Sequence, residues 1–208
     1  MSSARNQSHM RPSITIMLPT VGRPTLEATL ESIRAQHLGP EDRVMVISDG
    51  YHQRVDEVYM AYAGKLPIDL CVIDGPNNDW GHTPRNVMMP HVRTTHIHHM
   101  DDDDIYSSPE SLSTMRSHIE QNPDVPHIYR VRFADDGKVI WRTSGDITFG
   151  NVTTISFVHP HLRGLYAYWP PRIGGDFEFW RDTQEHYPPN SLIWHPDILL
   201  TSRPHLAK

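Results

Sequence analysis

The stretch IHHMDDDDIY, residues 97–106, places four consecutive aspartates one residue after two histidines. Neighbouring carboxylates repel one another, so a folded chain keeps such a run only where water or a cation offsets the repulsion. Most acidic runs are solvated turns. Mg²⁺ and Mn²⁺, however, bind one or two carboxylates together with substrate phosphates, and Asp101 and Asp103 form an Asp-x-Asp pair that can supply them. The run is therefore either a solvated turn or a cation site.

The histidines before the run raise a second metal chemistry. His-x-His followed by aspartate can bind zinc, but the metallo-β-lactamase pattern His-x-His-x-Asp-His fails at two positions, since Met100 and Asp101 replace its aspartate and last histidine. A strand alternates its faces, so His96 and His98 would share one face and His99 the other. We interpret them as packing residues rather than ligands, which disfavours a His/Asp metallohydrolase.

Strand and helix patterns alternate over about the first 120 residues. β-Branched apolar runs predict strands, and apolar residues three and four apart predict helices. The predicted strands are 13–19, 44–50, 68–75 and 95–101, and the predicted helices are 25–36, 54–65 and 108–122, with a turn and a short helix over 81–92. Thr25 is a candidate N-cap. The alternation predicts an α/β fold with a mostly parallel sheet flanked by helices.

In such sheets, ligands gather at the carboxyl ends of the strands. The polar residues at those ends are Thr20, Arg23, Asp49, Asp74 and the run from Asp101. We expect them to lie along one edge. A solvated turn has no need to follow a buried strand at that edge, so we favour the cation site.

The pattern changes after residue 125, where prolines become frequent. The sequence predicts a hairpin over 127–142 around Asp136-Gly137, a strand over 152–159, a short helix over 174–187, and a last strand or two within 191–205. These shorter elements predict a smaller, loop-rich subregion.

Composition limits the classes of function. The 208 residues suit a single domain, predicted over 13–208 after a disordered tail over 1–12. The net charge of −6 disfavours a polyanion binder, including an enzyme with a nucleic-acid acceptor. The single cysteine excludes an intrachain disulfide, and neither a signal sequence nor an apolar run of ~20 residues is present. A cytoplasmic location is expected, and a homo-oligomer is left open.

Five ordered motifs resemble the GT-A glycosyltransferases, most closely family 2. They are ITIMLPTVGRP for the first strand and nucleotide loop, VMVISDG for the second strand, GHTPRNVMM for a Gly…Arg-Asn segment, HHMDDDDIYSSPESL for the DXD stretch and GGDFEFW for the catalytic stretch. The resemblance runs from about Ser13 to His205. Each motif alone is weak, but five in the family's order form a much stronger signal.

The resemblance implies a metal-dependent, inverting transfer of a sugar from a nucleoside-diphosphate sugar to a hydroxyl acceptor. A UDP-sugar is the favoured donor, and Mn²⁺ or Mg²⁺ is the implied cofactor. Residues 13–124 would bind the nucleotide-sugar, and residues 125–208 would bind a saccharide or another hydroxyl acceptor. The chain ends soon after the acceptor region, which favours a small or soluble acceptor.

The resemblance also assigns roles at the donor site. Asp103 would hold the metal, and Asp101 would contact the ribose or the metal. Asp49 would accept a hydrogen bond from the base. Arg85 would either donate to a phosphate or form a surface salt bridge. Further residues implied at the nucleotide are Pro19, Thr20, Arg23 and Asp102.

At the acceptor side, the resemblance makes Asp176 the general base, although an aspartate before FEFW also fits a helix N-cap. Gly175 stands where the family usually has an acid, and Glu178 is the fallback base. Trp180 and Trp169 are either core or acceptor-wall aromatics. A metal contact from the C-terminal segment would come from His195 or His205.

Three other functions stay open from the sequence. A nucleotidyltransferase would need a glycine-rich loop after the first strand, whereas PTVGRP has a single glycine. A non-catalytic nucleotide-sugar binder is opposed only by Asp176, and the metallohydrolase is disfavoured by its failed histidine spacing.

Overall fold

The computed structural model describes residues 11–142, 145–162, 164–165 and 167–203. The strands are β1 (Ile14–Thr20), β2 (Arg43–Asp49), β3 (Ile68–Ile73), β4 (His96–His99), β5 (Asp104–Tyr106), β6 (His127–Phe133), β7 (Val139–Ile140), β8 (Phe157–Pro160) and β9 (Ile193–Ser202). The helices are α1 (Leu26–Arg34), α2 (Gln53–Tyr62), α3 (His82–Met88), α4 (Ser111–Gln121) and α5 (Gly175–Thr183). Residues 1–10 of the predicted tail lie outside the described residues.

One mixed sheet contains all of these strands, in the order β3-β2-β1-β4-β8-β6-β9-β5, with β7 paired to β6. β3, β2, β1 and β4 are mutually parallel, as the βαβ pattern predicts. β8 pairs antiparallel with both β4 and β6, and β9 runs parallel to β6 and antiparallel to β5. The α/β class is confirmed, and so is the predicted hairpin, formed by β6 and β7.

The sheet buries apolar side chains on both faces, because strand residues alternate between them. In β1, Ile16 and Leu18 belong to one core cluster and Met17 to the other. The first cluster includes the apolar stripes of α1 and α4, and the second includes Phe179 and Trp180 of α5. This two-sided packing fixes the strand ends that carry the polar residues.

Some predicted boundaries are wrong. Thr25 occupies the N-cap position of α1, but its side chain makes no capping hydrogen bond. The predicted strand over 152–159 begins only at Phe157, because Thr154–Ser156 form a 3₁₀ turn. The predicted helix over 174–187 ends at Thr183, and Gln184–His186 continue as a 3₁₀ turn. No described helix is both long enough and apolar enough to cross a bilayer.

Candidate active site

The aspartate run connects β4 to β5, and its side chains alternate between interior and surface. Asp102 and Asp104 are buried. The side chains of Asp101 and Asp103 are 31% and 13% exposed. The run is therefore not a solvated turn. It presents the Asp-x-Asp pair outward and keeps the other two carboxylates inside.

Asp102 attaches the run to the loop after β1. The Thr20 hydroxyl donates to Asp102 Oδ2 at 2.5 Å, and Arg23 Nη1 donates to Asp102 Oδ1 at 3.1 Å. Burial raises the pKa of Asp102, and the Thr20 hydrogen bond opposes this. Pro19 is buried, and a Cβ at Gly81 would lie 2.8 Å from its ring. Asp102 and Pro19 thus shape the loop after β1 from inside, and their implied contact with the donor stays a prediction.

Arg85 lies beneath the run and fixes Asp101. Its side chain is 1% exposed, and Nη2 donates to Asp101 Oδ1 at 2.5 Å and to the Met100 carbonyl at 3.2 Å. Its guanidinium also lies 4.9 Å from the ring centre of Trp169. The surface salt bridge needs correction, because the ion pair of Arg85 with Asp101 is buried on the arginine side, whereas the contact of Arg85 with a phosphate stays a prediction. It holds Asp101 in place.

Asp103 has the electrostatic signature of a cation ligand. Burial, and then the charges of Asp101 and Asp102, raise its pKa to about 6, because bringing carboxylates together out of water disfavours ionisation. A divalent cation would relieve this repulsion. No third ligating side chain completes a cluster with the pair in the described part of the chain. Two carboxylates with open positions fit Mg²⁺ or Mn²⁺, which also bind substrate phosphates.

Asp49 ends β2 but faces another loop rather than open solvent. Both of its carboxylate oxygens lie 3.0 Å from the Asn77 amide nitrogen, and Asn77 Nδ2 donates to Oδ1 at 2.6 Å. Asp49 is 3% exposed. A Cβ at Gly75 would lie 2.3 Å from Asp49 Oδ1. Asp49 therefore orders the loop around residues 75–77, and its hydrogen bond to the base stays a prediction.

Asp176 lies in the first turn of α5, half-buried near the aspartate run. The helix is capped by Gly174, so the N-cap interpretation of Asp176 is wrong. Its Oδ1 accepts the Phe177 N–H at 2.8 Å. Burial chiefly raises its pKa, and the charge of Asp101 adds to this. A carboxylate with a raised pKa beside the exposed pair can act as a general base.

The residues around Asp176 explain why Gly175 stands in place of the family's usual acid, and they disfavour Glu178 as the base. A Cβ at Gly175 would lie 2.2 Å from the Pro170 carbonyl oxygen, so an acidic residue cannot occupy that position without displacing the backbone. Glu178 accepts two hydrogen bonds from Arg172, at 2.8 and 2.5 Å. Those hydrogen bonds lower its pKa. Glu178 is therefore a poor proton acceptor.

The tryptophans and histidines at the centre of the second core cluster are packing residues. Trp180 stacks on Phe157 with ring centres 3.7 Å apart, and Trp169 stacks on Phe179 at 4.0 Å. Both tryptophans are buried, so neither forms an acceptor wall. His99 packs against both, and His98 lies 2.8 Å from the Tyr106 hydroxyl on the other side of β4. The packing interpretation of these histidines is confirmed.

Phe149, an exposed aromatic residue near Asp176, was not predicted as a site residue from the sequence. Phe149 is 70% exposed, and its ring lies 3.0 Å from the position of a Cβ on Gly174. Its ring centre is 6.4 Å from that of Phe177. No periodic pattern surrounds Phe149, so the only signal was an aromatic residue in a polar, glycine-containing loop.

The C-terminal histidines do not complete the aspartate site. Ser202 of β9 pairs with Asp104, and His195 lies seven residues earlier, roughly 20 Å along the strand. The expected metal contact from His195 at this site is therefore wrong. His205 lies outside the described residues.

Comparison with solved structures shows the GT-A fold. TarS 1–349 from S. aureus superposes with a TM-score of 0.75 and 17% identity, over 92% of this chain and 60% of that chain. The same protein in complex with UDP-GlcNAc gives 0.73 and 17%, over 92% and 58%. The mannosyltransferase PcManGT from Pyrobaculum calidifontis, in complex with GDP-Man and Mn²⁺, gives 0.66 and 13%, over 93% and 57%. This chain thus spans about three fifths of these proteins.

Comparison of sequences gives two further results. No curated protein matches the chain. The model of the family described as "Glycosyl transferase family 2" matches residues 15–192, and the chain therefore belongs to glycosyl transferase family 2.

Proposed function

We propose that this chain is a glycosyltransferase that moves a sugar from a nucleoside-diphosphate sugar to an acceptor hydroxyl, with inversion at the anomeric carbon. One observation carries the proposal. The partly exposed carboxylates Asp101 and Asp103 lie at the end of β4, close enough to Asp176 for the charge of Asp101 to raise the pKa of Asp176. A cation-binding pair beside a general base is what such a transfer requires.

The donor lies, in this proposal, against the loop that follows β1. Arg23 is 38% exposed and its Nη1 is 3.8 Å from Asp103 Oδ2, so its free donors can reach a diphosphate beside the pair. The loop ordered by Asp49 forms a wall for the base. A UDP-sugar is favoured because the TarS complexes contain UDP-GlcNAc or UDP, and a GDP-sugar is the alternative because PcManGT contains GDP-Man.

Mn²⁺ or Mg²⁺ is the proposed cofactor, held by Asp103 and by Asp101. When bound, the ion would supply Lewis-acid stabilisation of the negative charge on the departing nucleoside diphosphate. Arg85 keeps Asp101 oriented from below through its buried guanidinium. Arg23 adds a positive charge at the same edge.

Asp176 acts as the base in the transfer. It takes the proton of the acceptor hydroxyl as that oxygen bonds to the anomeric carbon and the bond to the diphosphate oxygen breaks. The products are the glycosylated acceptor, the nucleoside diphosphate and a protonated Asp176, which returns its proton to solvent. Phe149 is exposed and packs beside Gly174, just before α5, where it offers an apolar face to the acceptor.

The acceptor and the cellular setting are proposed from the sequence. A small or soluble saccharide suits the predicted acceptor half, and the net charge disfavours a nucleic acid. A cytoplasmic location is proposed because the lone cysteine requires no oxidising compartment.

Thermal unfolding with UDP, GDP, TDP and ADP, each with and without Mn²⁺, tests the donor site. A ligand that binds only the folded state stabilises that state by mass action, by about 2.7 kcal/mol when the ligand is at one hundred times its dissociation constant. This stabilisation raises the midpoint temperature of unfolding. We expect one nucleotide, UDP first, to stabilise the wild type only when Mn²⁺ is present. Asp103→Asn should abolish that dependence.

Asp124→Asn is the matched control, because Asp124 is an exposed aspartate outside the site. It should respond to nucleotide and Mn²⁺ as the wild type does. If no nucleotide stabilises the wild type at millimolar concentration, or if Asp103→Asn keeps the full metal-dependent shift, the proposed donor site is wrong.

A further inference from the structure

Two histidines and an aspartate form a second polar cluster, between α4 and β9. His118, His195 and Asp197 each place one potential ligand atom within 4.8 Å of the others, and they are the only such group of three in the described residues. The rings of His118 and His195 are stacked, with centres 4.0 Å apart and planes at 7°. All three side chains are partly buried, so the cluster is accessible to a small ion.

A strand irregularity places Asp197 in the cluster. β6 and β9 pair Tyr129 with His195, but the next pair joins Arg130 to Ile198, so residues 196 and 197 have no partners on β6. Such a bulge redirects side chains and is common beside functional sites. Asp197 is close enough for its charge to raise the pKa of Tyr129.

A chain of hydrogen bonds fixes the free nitrogen of His195. His127 Nε2 lies 2.9 Å from the Asn122 carbonyl oxygen, which can only accept, so this nitrogen carries the proton. In neutral His127, Nδ1 is then an acceptor, and it lies 2.9 Å from His195 Nε2, which must donate. His195 Nδ1 therefore keeps its lone pair. A metal-binding histidine needs this tautomer, with its other nitrogen donating to a partner.

We propose that His118, His195 and Asp197 bind Zn²⁺, with His127 as the supporting partner of His195. Two neutral imidazoles and one carboxylate suit this borderline cation, which commonly takes three protein ligands and one water. The bound ion joins α4 to the bulged part of β9.

The proposed zinc site differs from the aspartate site in place and chemistry. Ser202 pairs with Asp104, and Asp197 lies five residues before Ser202, about 16 Å along the strand. The aspartate site offers only oxygen ligands, which suit Mg²⁺ or Mn²⁺. The cluster offers two nitrogens, which favour zinc over those ions.

Titration of the full-length, tag-free, chelator-treated protein with Co²⁺ tests the proposal, because Co²⁺ reports nitrogen ligation through its visible absorption. We expect one saturable site with the spectrum of a four-coordinate ion, and loss of the spectrum when Zn²⁺ is added. The double variant Asp101→Asn/Asp103→Asn should keep this spectrum, since the aspartate site is elsewhere.

Variants of the cluster separate ligands from their partner. His118→Gln and Asp197→Asn should each weaken Zn²⁺ binding by about 100-fold or more, and His127→Ala by about 10–100-fold. His91→Gln, at an exposed histidine of the 3₁₀ turn Met89–His91, should bind as the wild type does. Circular dichroism checks that each variant is folded.

The wild-type titration decides the question even if a variant fails to fold. Absence of saturable Co²⁺ and Zn²⁺ binding at micromolar concentration overturns the proposal. So does a spectrum that is lost in the aspartate double variant but unchanged in His118→Gln.

Discussion

Four chemically identical aspartates in this chain have two different environments. Asp102 is 3% exposed and is bound by Thr20 and Arg23, whereas the Asp101 side chain is 31% exposed. Burial and the neighbouring charges raise the pKa of Asp103 to about 6. Such a cost persists in a folded protein where function requires it, and here a bound cation would remove it.

Asp176→Asn tests the assignment of the base. The amide keeps the size of the side chain but cannot take a proton, so turnover should fall by about 10²–10⁴-fold while the affinity for nucleotide and Mn²⁺ is unchanged. Steady-state transfer and calorimetric binding measure the two effects separately. Glu178→Gln, two residues along α5, should retain most activity because Arg172 already engages that carboxylate.

Either of two results would contradict the assignment of Asp176. Equal losses in Asp176→Asn and Glu178→Gln would indicate a general effect on α5. Full activity in Asp176→Asn would show that another group acts as the base.

The sequence predicted the position of the Asp-x-Asp pair better than it predicted the contacts of the residues around it. Asp-x-Asp spacing at a strand end predicted the exposed pair, because strand periodicity is local. The burial of Arg85 and the contact of Asp49 with Asn77 depend on chain segments that meet only in three dimensions. The sequence therefore did not show that these side chains also support neighbouring loops.

At the scale of elements, the start of α5 places Asp176. Gly174 has a φ of +81°, a left-handed conformation that glycine adopts without strain, and it lets the chain turn into the helix. Gly175 then packs directly on the Pro170 carbonyl and the His82 ring. These two close approaches bring the first turn of α5 against His82 of α3 and against the segment that contains Pro170.

Gly175→Ala tests this packing. The added methyl would lie 2.2 Å from the Pro170 carbonyl oxygen, so the backbone must shift. We expect the free energy of unfolding to fall by about 1–3 kcal/mol. Turnover should fall as well, because the shift moves Asp176. Urea unfolding measures the stability. Gly39→Ala is the control, because its nearest atom would be 3.4 Å away, and it should change stability by less than about 0.5 kcal/mol. Equal stability of the two variants would refute the packing argument.

The local sequence patterns predicted some helices and strands better than others. The alternating first half was predicted well, because each βαβ unit carries its own periodicity and turn residues. β5 was missed, since it is three residues long and begins inside the aspartate run, where pairing with β9 overrides low strand propensity. The 3₁₀ turn at Thr154–Ser156 was predicted as strand because it lies in the segment VTTISFVH, which is rich in β-branched residues.

At the scale of the whole molecule, six of the described histidines are buried: His82, His96, His98, His99, His127 and His159. Burial lowers the pKa of these six and of the partly buried His195. The pKa falls to about 4 for His96, His98 and His195, to about 3 for His159 and well below the usual value for His99, and it is also lowered for His82 and His127. In the unfolded chain the same imidazoles have ordinary pKa values near 6.5. Below pH 6.5 these imidazoles bind more protons in the unfolded state, so their contribution to stability falls as the pH is lowered. Asp103, whose pKa is raised to about 6, contributes in the opposite direction below pH 6.

This linkage predicts unfolding in mild acid. Between pH 6.5 and about 4, each histidine like His98 should lower the free energy of unfolding by about 1.4 kcal/mol per pH unit, so several together would remove most of a typical domain's stability near pH 5. Urea unfolding of the metal-free protein at a series of pH values measures the slope. His98→Gln should reduce the slope by one proton, whereas His91→Gln, at an exposed position, should leave it unchanged. A stability that is flat from pH 7 to 5 would mean that these imidazoles accept protons without unfolding, and that the interior is more hydrated than its packing indicates.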